Sequence, residues 1–494
     1  MKKAFDKNKY IKKQTEEILK RMDQFDHKLY LEFGGKLFDD HHASRILPGF
    51  DSDTKIQLLQ QFKEDLEIII VINASDIEKH KVRADYGITY DIEVIRLIDK
   101  LKELDLLINS VVITQYKGQV SAEKFQKKLE RNNIKTYIHT LTKGYPTDVN
   151  IIVSEEGYGA NAYIETTKPL VVVTAPGPNS GKLATCLSQL YHENKRGITA
   201  GYAKFETFPV WNLSLKHPVN IAYESATADL SDRNMIDYFH LEEYGKYTVN
   251  YNRDVEAFPV LKSILEKIQG KSIYHSPTDM GVNMIKEGII DDELCKRASK
   301  KEILRRFYNA ICSYKEGHVE EQTPQRIKVL MNELAIDDSE RKVIETARKK
   351  TEKENFPSFA IELNNGDVVV GRETNLMTAP ASCFVNAIKQ LAGISDEIFL
   401  LSPQVLEPVI KLKSEIYGEK SAKLNIQDVL LGLSILETTN PMANLALKQT
   451  KKLKGTDSHS TYIPSPTDRS TLRNLEINMT SEAEFYLNQL YQEN

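Results

Sequence analysis

Apolar positions in the first 225 residues fall into short, β-branched runs separated by longer stretches with helical spacing. Strands are predicted at 28–33 (KLYLEF), 67–73 (EIIIVIN), 110–115 (SVVITQ), 134–139 (IKTYIH), 169–174 (PLVVVT) and 219–224 (VNIAYE). The clearest helical pattern between them is 91–107, where Ile92, Ile95, Leu101, Leu104 and Ile108 recur at helical intervals. Short apolar strands alternating with amphipathic helices imply βαβ units around a mainly parallel sheet, which takes ligands at the C-terminal ends of its strands.

The pattern changes near residue 286. Residues 291–354 read as consecutive charged helices, with Leu304, Phe307, Tyr308, Ile311 and Cys312 forming one apolar stripe. Two β runs then flank Asn365-Gly366 within 358–373, the strongest short-range hairpin signal. Helical patterns follow at 381–392, 403–417 and 425–437, and then a polar tail at 454–475. The string SPTD occurs twice, at 276–279 and 465–468. The expected fold is α/β. It has a Rossmann-like or P-loop-like, mainly parallel sheet in residues 1–285, a helical subdomain at 286–355 and a smaller α/β domain at 356–494.

Composition adds exclusions. A chain of 494 residues with 41% hydrophobic and 28% charged residues is globular and multidomain. A net charge of −4 gives no reason to expect nucleic acid or an anionic membrane as partner. Four scattered cysteines point to a reducing compartment, and the basic N-terminus lacks the apolar core of a signal peptide, so a cytoplasmic location is expected.

The candidate chemistry lies in VVVTAPGPNSGKLAT (171–185), a strand, a Gly-rich loop and a helix start. Unpartnered N–H groups and the dipole at a helix N-terminus attract anions. Gly177, Asn179, Ser180 and Gly181 would supply backbone contacts, and Lys182 a full charge. The Walker pattern nevertheless fails twice. Its first glycine position holds Pro176, and its Mg²⁺-binding hydroxyl position holds Leu183. Phosphate binding is therefore the expectation, with a phosphate-bearing metabolite or nucleotide as ligand and phosphoryl- or phosphoester-related chemistry if the protein is an enzyme. A standard P-loop ATPase is disfavoured. Lys182, Glu224 and Asp229 are the candidate catalytic residues, and Arg253 a further anion contact; no cofactor is named by the sequence.

Other groups carry less. Gly34-Gly35-Lys36, Lys204, Lys216, His217 and Asp232 follow strand-like runs. Asp39-Asp40-His41-His42 reads as a polar helix start rather than a metal site. YHENKR (191–196) lacks the second histidine of HExxH, which disfavours a zinc peptidase. Cys383 reads as a buried helix-face cysteine, and the tail bears Lys454, Asp457, Ser458, His459, Ser460 and Arg469 as phosphate-binding residue types. The alternative to an enzyme is an anion sensor or scaffold, with the helices at 291–354 mediating homo-oligomerisation.

The strings YLEFGGKLFDDHHASRILPGFD, VVVTAPGPNSGKLATCLSQLYHE, HPVNIAYESATADL, SPTDMGVNM and TNLMTAPASCFVNAIK together resemble the bacterial uncharacterised protein family zero-three-seven-one, over essentially the whole chain. The resemblance implies a cytoplasmic protein with an α/β N-terminal region, helical elements and an α/β C-terminal region. It implies no activity and supplies no catalytic residue.

Overall fold

A computed structural model describes residues 3–26, 28–83, 86–419 and 422–486. The chain divides into two compact units, one spanning Lys2–Tyr223 and Asp232–Lys296, the other Glu224–Ser231 and Arg297–Asn494.

The first of these units is built on seven strands: Leu29–Phe33 (β1), Leu66–Asn73 (β2), Ile108–Thr114 (β3), Thr136–Ile138 (β4), Leu170–Thr174 (β5), Gly201–Phe205 (β6) and Gly281–Val282 (β7). All pair in parallel, in the order β7-β6-β1-β5-β2-β3-β4. Every residue of β1, β2 and β5 is buried, as expected where helices cover both faces of a parallel sheet. Phe33 and Phe205, register partners on β1 and β6, stack with ring centroids 4.0 Å apart and planes 8° from parallel. Such a pair contributes ~0.5–1.5 kcal/mol beyond its buried area.

The helices that matter for the site are Lys7–Asp23 (α1), His41–Ile46 (α2), Tyr90–Glu103 (α3), Lys182–Lys195 (α4), Pro218–Ala226 (α5) and Asn252–Gln269 (α6). Acidic Asp91 and Glu93 open α3 and basic Lys100 and Lys102 close it, matching the helix dipole. After β1 the chain crosses toward β2, and after β5 it crosses the other way to β6. The order therefore reverses between β1 and β5, and their C-terminal ends border the crevice where sheets of this kind bind ligands.

Five of the six predicted strands are observed. The exception is 219–224, which lies within α5. Pro218 occupies its first turn, where a missing N–H costs nothing, and Val219, Ile221 and Ala222 are buried. An apolar run of that length suits a buried helix as well as a strand. Glu224 is consequently a half-buried helix residue and not a strand-end carboxylate.

The other unit contains helices Asp292–Lys315 (in part), Gln322–Glu333 and Lys342–Glu354, then a mixed four-stranded sheet. Its strands are Ser358–Glu362 (β8), Val368–Arg372 (β9), Asp457–Ser460 (β10) and Asn478–Ser481 (β11), in the order β9-β8-β10-β11. The predicted hairpin forms between β8 and β9, turning through Gly366 at φ 89°. Helix Ala379–Ala392 packs directly on β9: a Cβ on Gly371 would meet the Cys383 backbone nitrogen at 2.2 Å.

The two SPTD strings are the same device used twice. Ser276 and Ser465 are N-caps, Pro277 and Pro466 open the helices, and Asp279 and Asp468 occupy the third position. In both, the serine hydroxyl accepts the aspartate N–H at 3.1 Å.

Candidate functional site

Strand β5 delivers the chain into a loop whose φ is positive at Asn179 (58°) and at Gly181 (90°), but not at Ser180 between them. Such alternation turns successive N–H groups toward one side, the arrangement that makes anion-binding nests. Neighbouring strand ends fix the loop. Thr114 Oγ1, at the end of β3, donates to the Ser180 carbonyl at 2.7 Å, and Asn73 Nδ2, at the end of β2, to that of Asn179 at 3.4 Å. Ser180 closes the turn by donating to the Gly177 carbonyl at 2.8 Å. These bonds occupy carbonyls. Among the described residues, no protein group accepts from the N–H of Asn179, Ser180 or Gly181.

Two glycines are required sterically. A Cβ on Gly177 would fall 2.4 Å from Tyr90 Oη, and one on Gly181 would fall 2.9 Å from Thr114 Oγ1. Gly181 caps α4, and among the described residues no side chain bonds to the first turn of that helix. Asp6, Asp40, Asn73 and Asp148 cap their helices with a carboxylate or amide oxygen, whereas α3 and α6, like α4, have no side-chain cap. Helix α4 thus presents its unsatisfied N–H groups to the crevice.

Lys182 is the first residue of α4 and is half-buried. It makes no hydrogen bond or ion pair with any described residue. Burial lowers its pKa, the positive charges of Lys204 and Arg253 lower it further, and Glu32 works in the opposite direction. A cation held partly out of water beside other cations is favoured by a bound anion.

Beside it lies a cluster of buried charge. Glu32 on β1 and Lys204 on β6 are register partners, and Tyr202 Oη donates to Glu32 Oε2 at 2.9 Å. Lys204 Nζ lies 2.7 Å from Glu206 Oε1 and also pairs with Asp254 in the first turn of α6. Burial pushes Lys204 down, but Asp254, Glu206 and Glu32 together hold it well above its ordinary value. Glu206 is pushed up to about 7 by burial, with Asp254 and Glu32 adding to the effect against the pull of Lys204. A carboxyl group that exchanges its proton near neutrality is suited to acid–base work.

Of the residues selected from sequence, Gly177, Asn179, Ser180, Gly181, Lys182 and Arg253 come together. Arg253 Nη1 reaches Asn179 Oδ1 at 3.4 Å while its Nε and Nη2 grip Asp232 at 2.7 and 2.8 Å. Glu224 and Asp229 belong to the unit that does not carry the loop. Of the weaker candidates, Gly34 has its N–H taken by the Phe205 carbonyl at 2.9 Å. His217 pairs with Asp292 at 3.1 Å. Asp40 caps α2 and pairs with Lys55 at 2.8 Å, while Asp39 pairs with Arg96 and Lys100, so the DDHH string is the expected helix start.

The polar tail is corrected by the structure: part of it is β10, an inner strand of its sheet, with Ser458, His459 and Ser460 fully buried. Asp457 pairs there with Arg341 at 3.1 Å and Lys301 at 2.9 Å, and Arg469 with Glu316. Cys383 donates to the Val369 carbonyl at 3.3 Å, and burial raises its pKa, which makes it a poor nucleophile. Glu32 and Glu206 were missed. Their signal was a lone carboxylate inside LYLEF and the alternation Lys204-x-Glu206 in KFE.

Residues 3–335 match the family described as "Domain of unknown function DUF1846, N-terminal", and residues 339–491 match its C-terminal counterpart. The UPF0371 protein of Clostridium botulinum (strain Alaska E43 / Type E3) is 54% identical over 503 residues, covering all of both chains. The UPF0371 protein of Clostridium tetani (strain Massachusetts / E88) shows the same identity and coverage. That of Clostridium botulinum (strain Kyoto / Type A2) is 55% identical over 500 residues, 99% of each chain. The chain belongs to this family. Among its described residues, no helix is long and apolar enough to cross a membrane.

Proposed function

We propose that this family member binds a phosphate-bearing small molecule or nucleotide on the 177–182 loop and carries out phosphoryl- or phosphoester-related chemistry on it. The observation that carries the reading is Lys182: a half-buried cation with no partner among the described residues, at the start of a helix whose N-cap has no side-chain cap bond. The N–H groups of Asn179, Ser180 and Gly181 would surround phosphate oxygens, and Arg253 would extend the positive field toward Asn179. Glu206 is the acid–base candidate in place of Glu224 or Asp229, because it titrates near neutrality in the unit that carries the loop. Leu183 leaves the loop without the hydroxyl that usually holds a phosphate-bound Mg²⁺, which separates the site from a standard ATPase.

A thermal-shift screen across phosphate monoesters, diphosphates and nucleotides tests the binding, since a ligand of the folded state raises its melting temperature. The wild type is expected to respond to a subset that Lys182→Ala ignores. No response to any compound would contradict the reading. Saturable binding without turnover by pure protein would replace the enzyme with a sensor.

A further inference from the structure

A second candidate region lies at the β7 edge of the seven-stranded sheet. A cavity of about 620 Å³ opens there, lined by residues of α1, of the loop after β6, and of the segments around Lys246 and Gly281. That is ample volume for a small organic ligand. Its charge is unbalanced. Besides His240, three basic side chains line it, Arg21, Lys246 and Lys286, and none of these three forms an ion pair among the described residues. Arg21 donates to the backbone carbonyls of Asp279 (2.6 Å) and Gly281 (3.5 Å), and Lys286 to that of Asn212 (2.8 Å). Lys246 is exposed and has no partner among the described residues.

The two carboxylates in the lining offset them only in part. Glu17 pairs with Lys20 at 2.5 Å. Asp279 keeps its charge while accepting from the N–H groups of His275 and Ser276 at 3.0 and 3.1 Å and from Tyr244 Oη at 3.0 Å, with His240 Nδ1 3.5 Å away, and so offsets one of the three cations. Backbone carbonyls orient a cation but leave its charge in place, so the cavity carries a positive field that favours an anion.

The same cavity has aromatic walls. The six-membered ring of Trp211 abuts β7 in space that exists only because residue 281 is glycine: a Cβ there would fall 2.3 Å from Trp211 Cζ2. Tyr247, beside Lys246, is 74% exposed, so its ring face is open to stacking. We infer that this cavity binds a planar ring carrying an anionic group, as in a nucleoside monophosphate, with the ring against Tyr247 and Trp211 and the anion among Lys246, Lys286 and Arg21. The inference shares no residue with the 177–182 loop and stands or falls separately from it.

Trp211 is the only tryptophan in the chain, so its emission reports on this cavity. The full-length protein is titrated with AMP and CMP, with adenosine and inorganic phosphate as partial ligands. A saturable change in emission with a nucleotide is expected, unchanged in Lys182→Ala and weakened at least about tenfold in the Lys246→Ala/Lys286→Ala double variant. Adenosine and phosphate should each bind more weakly than the nucleotide. The inference is overturned by no saturable change with either nucleotide, by a response lost in Lys182→Ala, or by one unaltered in the double variant. Adenosine binding as tightly as AMP overturns it too, because the anion would then contribute nothing, and phosphate binding as tightly as AMP does so for the ring.

Discussion

Glu32 and Lys204 face each other from neighbouring parallel strands, the only charged register pair where β1 meets β6, and Lys204 carries Glu206 and Asp254 on its other contacts. One ammonium therefore holds several carboxylates at the strand ends beside Lys182. Removing it leaves them uncompensated in a mostly buried site. Lys204→Met should destabilise the protein by about 3–5 kcal/mol, the usual cost of breaking a buried pair by deleting one partner. Urea denaturation measures this, and adding Glu206→Gln should recover part of the loss.

Glu206 gives stability a defined pH dependence. Its folded pKa of about 7 lies above the ordinary carboxylate value, so the folded state holds the proton more tightly than the unfolded one. Its contribution therefore favours folding at low pH. It declines as pH rises from the unfolded value through about 7, and is constant beyond that. Glu206→Gln removes this component. The stability of the variant minus that of the wild type should rise across that window and flatten above it, as read from denaturation curves at stepped pH.

Gly177→Ala tests how tightly the loop is held. The added Cβ meets Tyr90 at Oη, Cζ and Cε2, all within 2.6 Å, so the loop or the ring must move. A cost of about 1–3 kcal/mol is expected from overpacking, with loss of the thermal shift caused by phosphate compounds. Tyr90→Phe should not restore it, because ring carbons clash as well as the hydroxyl; Tyr90→Leu should.

The twin SPTD caps should differ in weight. Asp468 is fully buried and also accepts from the Ile426 N–H at 2.9 Å and Thr378 Oγ1 at 3.0 Å, tying three segments together. Asp279 mainly serves its own four-residue helix and Tyr244. Asp468→Ala should therefore cost about 2–4 kcal/mol, summing a lost cap and stranded buried donors, and Asp279→Ala about 1 kcal/mol. Denaturant midpoints of the two variants compare them.

The sequence made the parallel sheet legible because β2 and β5 are unbroken β-branched runs, buried on both faces. It concealed β10, whose Asp-Ser-His-Ser has no apolar pattern; Asp457 pairs there with Arg341 and Lys301, His459 bonds to Thr480 and Glu482, and Ser460 accepts from the Tyr462 N–H, so polar partners rather than hydrophobicity hold the strand. It also misread α5, where the N-terminal proline outweighs the run VNIAYE. The loop was legible for a related reason. Gly177, Gly181 and Lys182 sit within a few residues and each has a local physical meaning. The charge cluster was not, since Glu32, Lys204 and Asp254 lie far apart in the chain and meet only through strand register and the start of α6.

The central claim is that the 177–182 loop is an anion site. Tungstate, a heavy mimic of phosphate, soaked into crystals of the protein tests it most directly through its anomalous scattering. The account predicts a peak within hydrogen-bonding distance of the N–H groups of Ser180, Gly181 and the first turn of α4, with Lys182 Nζ turned onto it, and no such peak in Lys182→Ala. Well-ordered crystals with tungstate bound elsewhere and none at this loop would contradict it.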